Sequence, residues 1–343
     1  MKQNYFLTHF KIDGLSATPK YQQIVNAVLA SIRQQKLKKG DVLPSINEVS
    51  FEFDISRLTV EKGYNQLRKR GIIESFPGKG YFVANTFFEQ DLRIFLLFNK
   101  LSAHKKIIYD AFVETLGDKA AIDFYVYNND FNLFQKLLNQ QKSGYSHYVI
   151  IPHFVEQEQN AYRLINALPK EKLIVIDKIV KEITGSYGAV YQFFESDIFN
   201  ALTAALAPLS KYHTLKLIFP ENSYAPKEII AGFVRFCQNY AFQHQIVHHL
   251  DQEPVNEGEV FINLMEEDLV IILEKIIALN LSLGQQVGLI SYNETPFKKF
   301  IMNGLTTIST DFAAMGRTAA QLVLNPSEAQ VENPFYLTLR GSL

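Results

Sequence analysis

The sequence predicts an α/β protein in two parts: a small helical module closed by a β-hairpin, then a doubly wound α/β domain. Before residue 70, apolar residues recur at helical spacing in three short stretches, each with its own cap or stop. A hairpin pattern with a glycine-rich tip follows. Beyond residue 92, short Val/Ile/Leu-rich segments alternate with amphipathic ones, as in repeated β-α units.

Tyr21, Ile24, Val25, Val28, Leu29 and Ile32 mark the first helix, opened by Pro19 and expected to end near Leu37. The turn Lys38-Lys39-Gly40-Asp41 follows. Ser45-Ile46-Asn47-Glu48 is a capping box, with the serine accepting from free N–H groups while the glutamate reaches back. Ile46, Val49 and Phe53 are the apolar face of that second helix. Ser56 caps a third, whose buried stripe is Val60, Tyr64 and Leu67. Arg68-Lys69-Arg70 suit its C-terminal dipole, and Gly71 stops it. Ile72–Phe76 and Tyr81–Val83 then read as hairpin strands around Pro77-Gly78-Lys79-Gly80. Two short helices joined tightly, with a hairpin behind them, predict a winged helix-turn-helix over residues 1–84.

The faces left free suggest a use. Arg57, Thr59 and Lys62 stand at the start of the third helix, away from its buried stripe. Side chains there meet base edges when such a helix enters a major groove. Arg57 suits guanine, and Thr59 a phosphate or a thymine methyl. Lys79 at the hairpin tip suits phosphates or the minor groove, and Gly78 and Gly80 let backbone approach closely. Ser45 and Ser56 head helices whose N–H groups can meet phosphates. Charge agrees: residues 1–87 carry 13 Lys+Arg against 7 Asp+Glu, the remainder 21 against 28. A basic end on an acidic body fits a polyanion-binding module.

Leu43-Pro44-Ser45, Glu48-Val49, Ser56-Arg57-Leu58-Thr59-Val60, Gly71-Ile72-Ile73 and Gly78-Lys79-Gly80-Tyr81-Phe82-Val83 together resemble the GntR family of regulators over about residues 19–84. The resemblance implies DNA contacts from Ser45, the Asn47 position, Arg57, Thr59 and Gly78 through Gly80. Two departures stand out. Asn47 replaces the family's arginine in its first element, and Glu61 replaces the arginine that often follows TV, with Lys62 next.

After an expected linker at 85–92, residues 93–343 carry strand candidates Arg93–Phe98, Ile122–Tyr127, Tyr148–Ile151, Leu173–Ile176, Leu215–Phe219, Ile246–His249, Val260–Asn263 and Val287–Ser291. Helical stretches lie between them at Lys105–Leu116, Phe131–Gln141, Phe194–Leu206, Lys227–Tyr240 and Asp268–Leu279. Such a chain is one doubly wound domain or two similar lobes. Ligands in these folds bind beyond the carboxyl ends of the strands. That selects Asn99, Lys100 and Ser102; Pro152 and His153; Asp177 and Lys178; and Tyr292 and Asn293. Tyr224 and Tyr292 are candidates for stacking on a ring.

The stretch Val287–Pro296, with Gly304–Ser309, Met315–Ala320 and Leu339–Ser342, resembles the effector domains of the LacI/galactose-repressor family, and Ile176-Asp177-Lys178 resembles their VDR element. This implies the two-lobed, periplasmic-binding-protein-like fold and a cleft for a sugar- or purine-like effector. Asn293 stands where that family often has an acidic residue. Ile229 stands where an arginine is frequent, so Lys227 or Arg235 is the expected substitute. A GntR head on a LacI-type body resembles the arabinose-repressor type, which makes L-arabinose and L-fucose the first effectors to test.

Other classes find little support. Cys237 is the only cysteine, so no intramolecular disulfide or cysteine metal cluster can form. The N-terminus lacks the apolar core of a secretory signal, and no apolar run spans a bilayer, so a soluble cytoplasmic protein is expected. His248-His249 are expected on opposite faces of a strand, a poor metal site. No phosphate loop, zinc-protease motif or nucleophile elbow occurs, so neither cofactor nor catalysis is expected. The expected partners are operator DNA, a monosaccharide and a second copy of the chain. The alternatives are a sugar-converting enzyme with an accessory winged helix, and a sensor that has lost its ligand.

Overall fold

The computed structural model describes residues 10–88, 92–140, 144–154, 156–221 and 225–343. Two compact units emerge: residues 1–98, 116–128 and 133–150 form the first, and 99–115, 129–132 and 151–343 the second. No described helix is long and apolar enough to cross a membrane.

The first unit begins with helices α1 (Lys20–Arg33), α2 (Ile46–Glu52) and α3 (Arg57–Lys69). Ile24, Val25, Val28, Leu29, Val49, Val60, Tyr64 and Leu67 form its core. Helix α1 ends at Arg33 rather than near Leu37, because Gln35 turns into the left-handed region and brings Leu37 inward as a separate buried residue. Gly63 lets α3 cross α1 closely: a Cβ there would stand 3.0 Å from the Tyr21 carbonyl. The Tyr64 hydroxyl donates to the Pro44 carbonyl at 2.7 Å and fixes the entry to α2. A short strand absent from the sequence reading, β1 (Val42–Leu43), pairs antiparallel with β3 (Gly80–Val83), which pairs in turn with β2 (Ile73–Phe76).

The same unit contains parallel strands β4 (Leu92–Phe98), β5 (Ala120–Val126) and β6 (His147–Ile150), with β4 in the middle. Segment 13–18 runs along the free edge of β5. Ala17 N–H donates to the Phe124 carbonyl at 2.7 Å. Thr18 Oγ1 accepts from Phe124 N–H at 2.8 Å and donates to the Ile122 carbonyl at 3.3 Å. Tyr125 OH donates to Asp13 at 2.8 Å, and Arg70 pairs with Asp118. These bonds satisfy a strand edge that would otherwise present unpaired backbone groups.

The second unit contributes strands to two sheets. To one it gives β7 (Leu173–Asp177), β8 (Gly188–Tyr191) and β14 (Gln330–Glu332), all parallel. The other contains β9 (Thr214–Ile218), β10 (Gln243–Val247), β11 (Glu259–Asn263), β12 (Gly288–Tyr292), β13 (Thr306–Thr310) and β15 (Phe335–Thr338) in the order β10-β9-β11-β12-β13-β15. Only β15 runs antiparallel there. Helices cover both faces of this sheet. Ile198, Phe233 and Phe236 pack on one side, and Leu269, Ile272 and Ile276 on the other. The expected strand Ile246–His249 is displaced to Gln243–Val247, which puts His248 and His249 beyond it; His248 Nδ1 lies 2.7 Å from the Phe219 carbonyl.

The chain passes between these two sheets near residues 192–193, 311 and 333–334. Buried Asn333 ties the three passages together. Its backbone N–H donates to the Tyr191 carbonyl at 2.7 Å. Its Nδ2 donates to Thr310 Oγ1 at 2.6 Å and to the Asp311 carbonyl at 3.1 Å.

Candidate DNA-binding face and effector cavity

Both candidate DNA-facing helices begin with sequence-encoded caps. Ser45 Oγ accepts from Glu48 N–H at 3.2 Å, and Glu48 returns the bond to Ser45 N–H at 2.7 Å. Ser56 Oγ accepts from Thr59 N–H at 3.2 Å and contacts Thr59 Oγ1 at 2.8 Å. Asn47, Ser56, Arg57, Lys62, Gly78, Lys79 and Gly80 are exposed, while Ser45 and Thr59 are half-buried at their caps. Lys62 is less free than its spacing suggests, because its ammonium sits 4.0 Å from the Tyr21 ring centroid. At the hairpin tip Lys79 N–H donates to the Phe76 carbonyl at 3.0 Å. Pro77 and Gly78 occupy the centre of this turn, and Gly78 has φ of 72°. Glycine is needed there for conformation, since nothing lies within 4 Å of a Cβ built on it.

A small cavity of about 110 Å³ opens in the second unit at the carboxyl ends of its strands. Asn99, Lys100, His153, Asp177, Tyr292 and Asn293 line it. Ser102 and Lys178 do not. Ser102 Oγ instead accepts from Lys105 N–H at 3.3 Å, at the start of α4 (Ala103–Leu116). Lys178 points to Glu158, 3.2 Å away, and the Tyr162 hydroxyl, 3.1 Å away. Tyr224 lies outside the described residues. Neither expected substitute for the missing arginine lines the cavity: Arg235 pairs with Glu195 at 2.7 Å and lies over Phe199, and Ile229 itself forms part of the wall.

The centre of the polar wall is Asp177, held at φ 87° where β7 ends. One carboxylate oxygen receives Lys105 Nζ at 2.6 Å and contacts His153 Nε2 at 2.7 Å; Gln192 donates to the other. Burial alone would raise this carboxyl, but Lys105, then His153, outweigh it and hold it well below the usual carboxylate range. Burial lowers the His153 imidazole despite that carboxylate. His104 is pushed down to about 4, first by burial and then by Lys105, with Lys100 and Lys298 adding to it. Its ring stacks on Phe312 at 4.9 Å and, neutral at pH 7, offers one donor and one acceptor.

Asn99 Oδ1 and the Tyr292 hydroxyl are buried without a hydrogen-bond partner. Burial, then Asp197 and Asp177, raises the Tyr292 phenol well above its ordinary value, so it stays a neutral donor. Phe194, Leu264, Met265 and Phe312 supply the apolar wall. Lys105, Gln192 and His104 were missed by the sequence reading. Their only available signal was position: two stand in the first turn of α4 and one just after β8, both at carboxyl ends of strands.

Comparison with known proteins agrees with each part. Residues 20–83 match the gntR family of bacterial regulatory proteins. The HTH-type transcriptional repressor YtrA of Bacillus subtilis (strain 168) is 35% identical over 74 residues, 22% of this chain and 57% of that protein. The arabinose metabolism transcriptional repressor of Geobacillus stearothermophilus is 32% identical over 66 residues, 19% of this chain and 18% of the repressor. The chain thus spans less than two thirds of the length of these curated relatives. A LacI family transcriptional regulator from Lactobacillus casei, solved with bound glucose, has a TM-score of 0.58 at 16% identity, with 73% of this chain and 99% of that one covered. At that identity the likeness is one of fold. Residues 20–83, the winged helix-turn-helix, thus match the gntR family, and the larger part shares the two-lobed α/β fold of the solved LacI family regulator.

Proposed function

We propose that the chain is a DNA-binding transcription regulator whose operator affinity is set by a small sugar-like effector. The observation that carries this reading is the exposed leading end of α3, with Arg57 outward, beside an exposed basic hairpin tip in a GntR-type head. In this reading residues 1–84 are the DNA-binding domain, 85–92 the linker and 93–343 the effector-binding and dimerisation domain. Ser45, Asn47, Ser56, Arg57, Thr59, Lys62 and Gly78 through Gly80 contact the duplex. Two heads held by a homodimer meet two half-sites related by a two-fold axis. Exposed Phe297, Phe300 and Met302 offer apolar surface for such pairing.

The cavity supports an uncharged or weakly polar ring as effector. Asp177, the one carboxylate among the lining residues, already contacts Lys105, His153 and Gln192, and Ile229 puts an apolar side chain where an arginine was expected, so Lys100 is the remaining cation of the lining. Phe194 and Phe312 offer faces for a sugar, while Asn99 and Tyr292 offer polar atoms that a hydroxyl can satisfy. The sugar bound by the Lactobacillus casei neighbour supports the same class. L-Arabinose and L-fucose are the first to test, by thermal shift: a ligand specific to the native state raises the melting temperature. A flat response across a pentose and hexose panel contradicts a sugar effector. The protein acts in the cytoplasm and without turnover, so the same sugars are recovered unchanged after incubation.

Two substitutions probe the head. Arg57→Ala is expected to weaken operator binding by ~1–3 kcal/mol if it reads a guanine; unchanged affinity in a gel-shift titration removes it from the interface. Lys79→Ala is expected to reduce the salt dependence of binding by about one counterion. An identical slope of log affinity on log salt rules out a phosphate contact.

A further inference from the structure

We infer that Leu58 and Glu61 give this head its own base preference, Leu58 packing on a thymine methyl and Glu61 accepting from the exocyclic amine of a cytosine. This rests on the proposal that the head binds DNA. Leu58 is the second residue of α3, lies between Arg57 and Thr59, and is 78% exposed. One exposed leucine is ordinary on most surfaces, but this one occupies the leading turn of the helix whose N-terminus faces the bases in a helix-turn-helix. Its polar neighbours also make contacts within the head, which suits them to phosphates more than to base edges. The Ser56 and Thr59 hydroxyls contact each other at 2.8 Å, and Lys62 rests on the Tyr21 ring. The exposed side chains of the first turn and a half are Arg57, Leu58, Glu61 and Lys62, the last with its ammonium over the Tyr21 ring.

Leu58 and Glu61 stand one turn apart and line the same shallow groove as Asn65 and Lys69. The chemistry of the major groove leaves few partners for them. Its distinctive apolar group is the thymine C5-methyl, the natural contact for a leucine. A carboxylate is repelled by phosphates and needs a donor at a base edge, which the cytosine N4 amine supplies. Arg57 and Glu61 are four residues apart, about 6 Å along the helix. That separation spans about two base-pair steps at roughly 3.4 Å each. The half-site is therefore expected to hold a guanine, a thymine and a cytosine within about three base pairs.

The test begins with selection of duplexes from a randomised library by the purified full-length protein. The selected duplex is then titrated with wild type, Leu58→Ala, Glu61→Ala and Glu61→Gln. Replacing the critical thymine by uracil removes only the methyl and is expected to weaken wild-type binding roughly fourfold. Leu58→Ala should be indifferent to that change. Glu61→Ala should lose roughly tenfold discrimination at one C·G pair, and Glu61→Gln should shift that position towards adenine. A uracil effect that persists in Leu58→Ala, or is absent from wild type at every thymine, overturns the leucine contact. A cytosine preference unchanged in Glu61→Ala overturns the carboxylate contact. If no duplex is enriched, the DNA-binding reading itself fails, and this assignment with it. Both side chains are exposed, so unchanged melting temperatures are expected for all three variants.

Discussion

Asp177→Ala is expected to lower stability by about 3–5 kcal/mol and to abolish the thermal response to effector. The substitution strands the Lys105 ammonium in a buried wall, with its side chain only 6% exposed, and takes away the carboxylate that contacts His153 and Gln192. Removing one member of a buried ion pair costs far more than the pair contributes over a well-packed apolar replacement, because the surviving charge keeps its desolvation penalty. Urea unfolding of the two proteins measures the first effect, and melting with and without sugar the second. Wild-type stability in the variant would mean that Lys105 finds water or another partner and that the network is peripheral. The pH dependence has a definite sign. The folded carboxyl is held below its unfolded value, so its contribution is complete above the ordinary carboxylate range. Below that range it declines progressively, and it is gone once pH has fallen through the depressed folded value.

Gly232→Ala is expected to cost about 3 kcal/mol or more and to weaken effector binding along with stability. Gly232 lies in α6 (Glu228–Asn239), where it meets α5 (Phe194–Ala204). A Cβ there would stand 2.1 Å from the Glu195 carbonyl oxygen and 2.6 Å from Ile198 Cγ2. Backbone cannot yield as a flexible side chain does, so the helices must separate. Ile229, one turn earlier in α6, and Phe194, the first residue of α5, both line the cavity. The same movement therefore reshapes the binding wall. A wild-type melting temperature together with wild-type effector affinity would show that the two helices tolerate the added methyl and do not set the cavity.

The head was legible in the sequence almost residue by residue because its signals are local. A cap, a helical stripe and a turn that needs glycine lie within a few residues of one another, as at Ser45–Glu48 and Pro77–Gly80. Strand β1 escaped notice because two residues carry no periodicity. In the larger part, buried parallel strands such as Leu173–Asp177 declared themselves as apolar runs. The edge strand Gln243–Val247 did not. Its first three residues face solvent, so its pattern is polar and the expected strand slid towards the apolar end. The chemistry of the cavity was the least legible. Lys105 in an amphipathic helix reads as a solvated cation, and only the tertiary partner Asp177, 72 positions away, makes it a buried one. Gln192 follows a four-residue strand that the alternation of longer elements conceals. Ser102 and Lys178 satisfied the rule of position but spend their polar atoms on a helix start and on Glu158.

The most direct test of the account is a titration of selected operator duplex with the full-length protein at low ionic strength, with and without L-arabinose or L-fucose. The account predicts tight, salt-sensitive binding that changes at least several-fold when the effector is added, because the ligand must bind the two conformations with different affinity to act at all. Failure to bind any duplex under these conditions, or operator affinity that no monosaccharide alters, would contradict it.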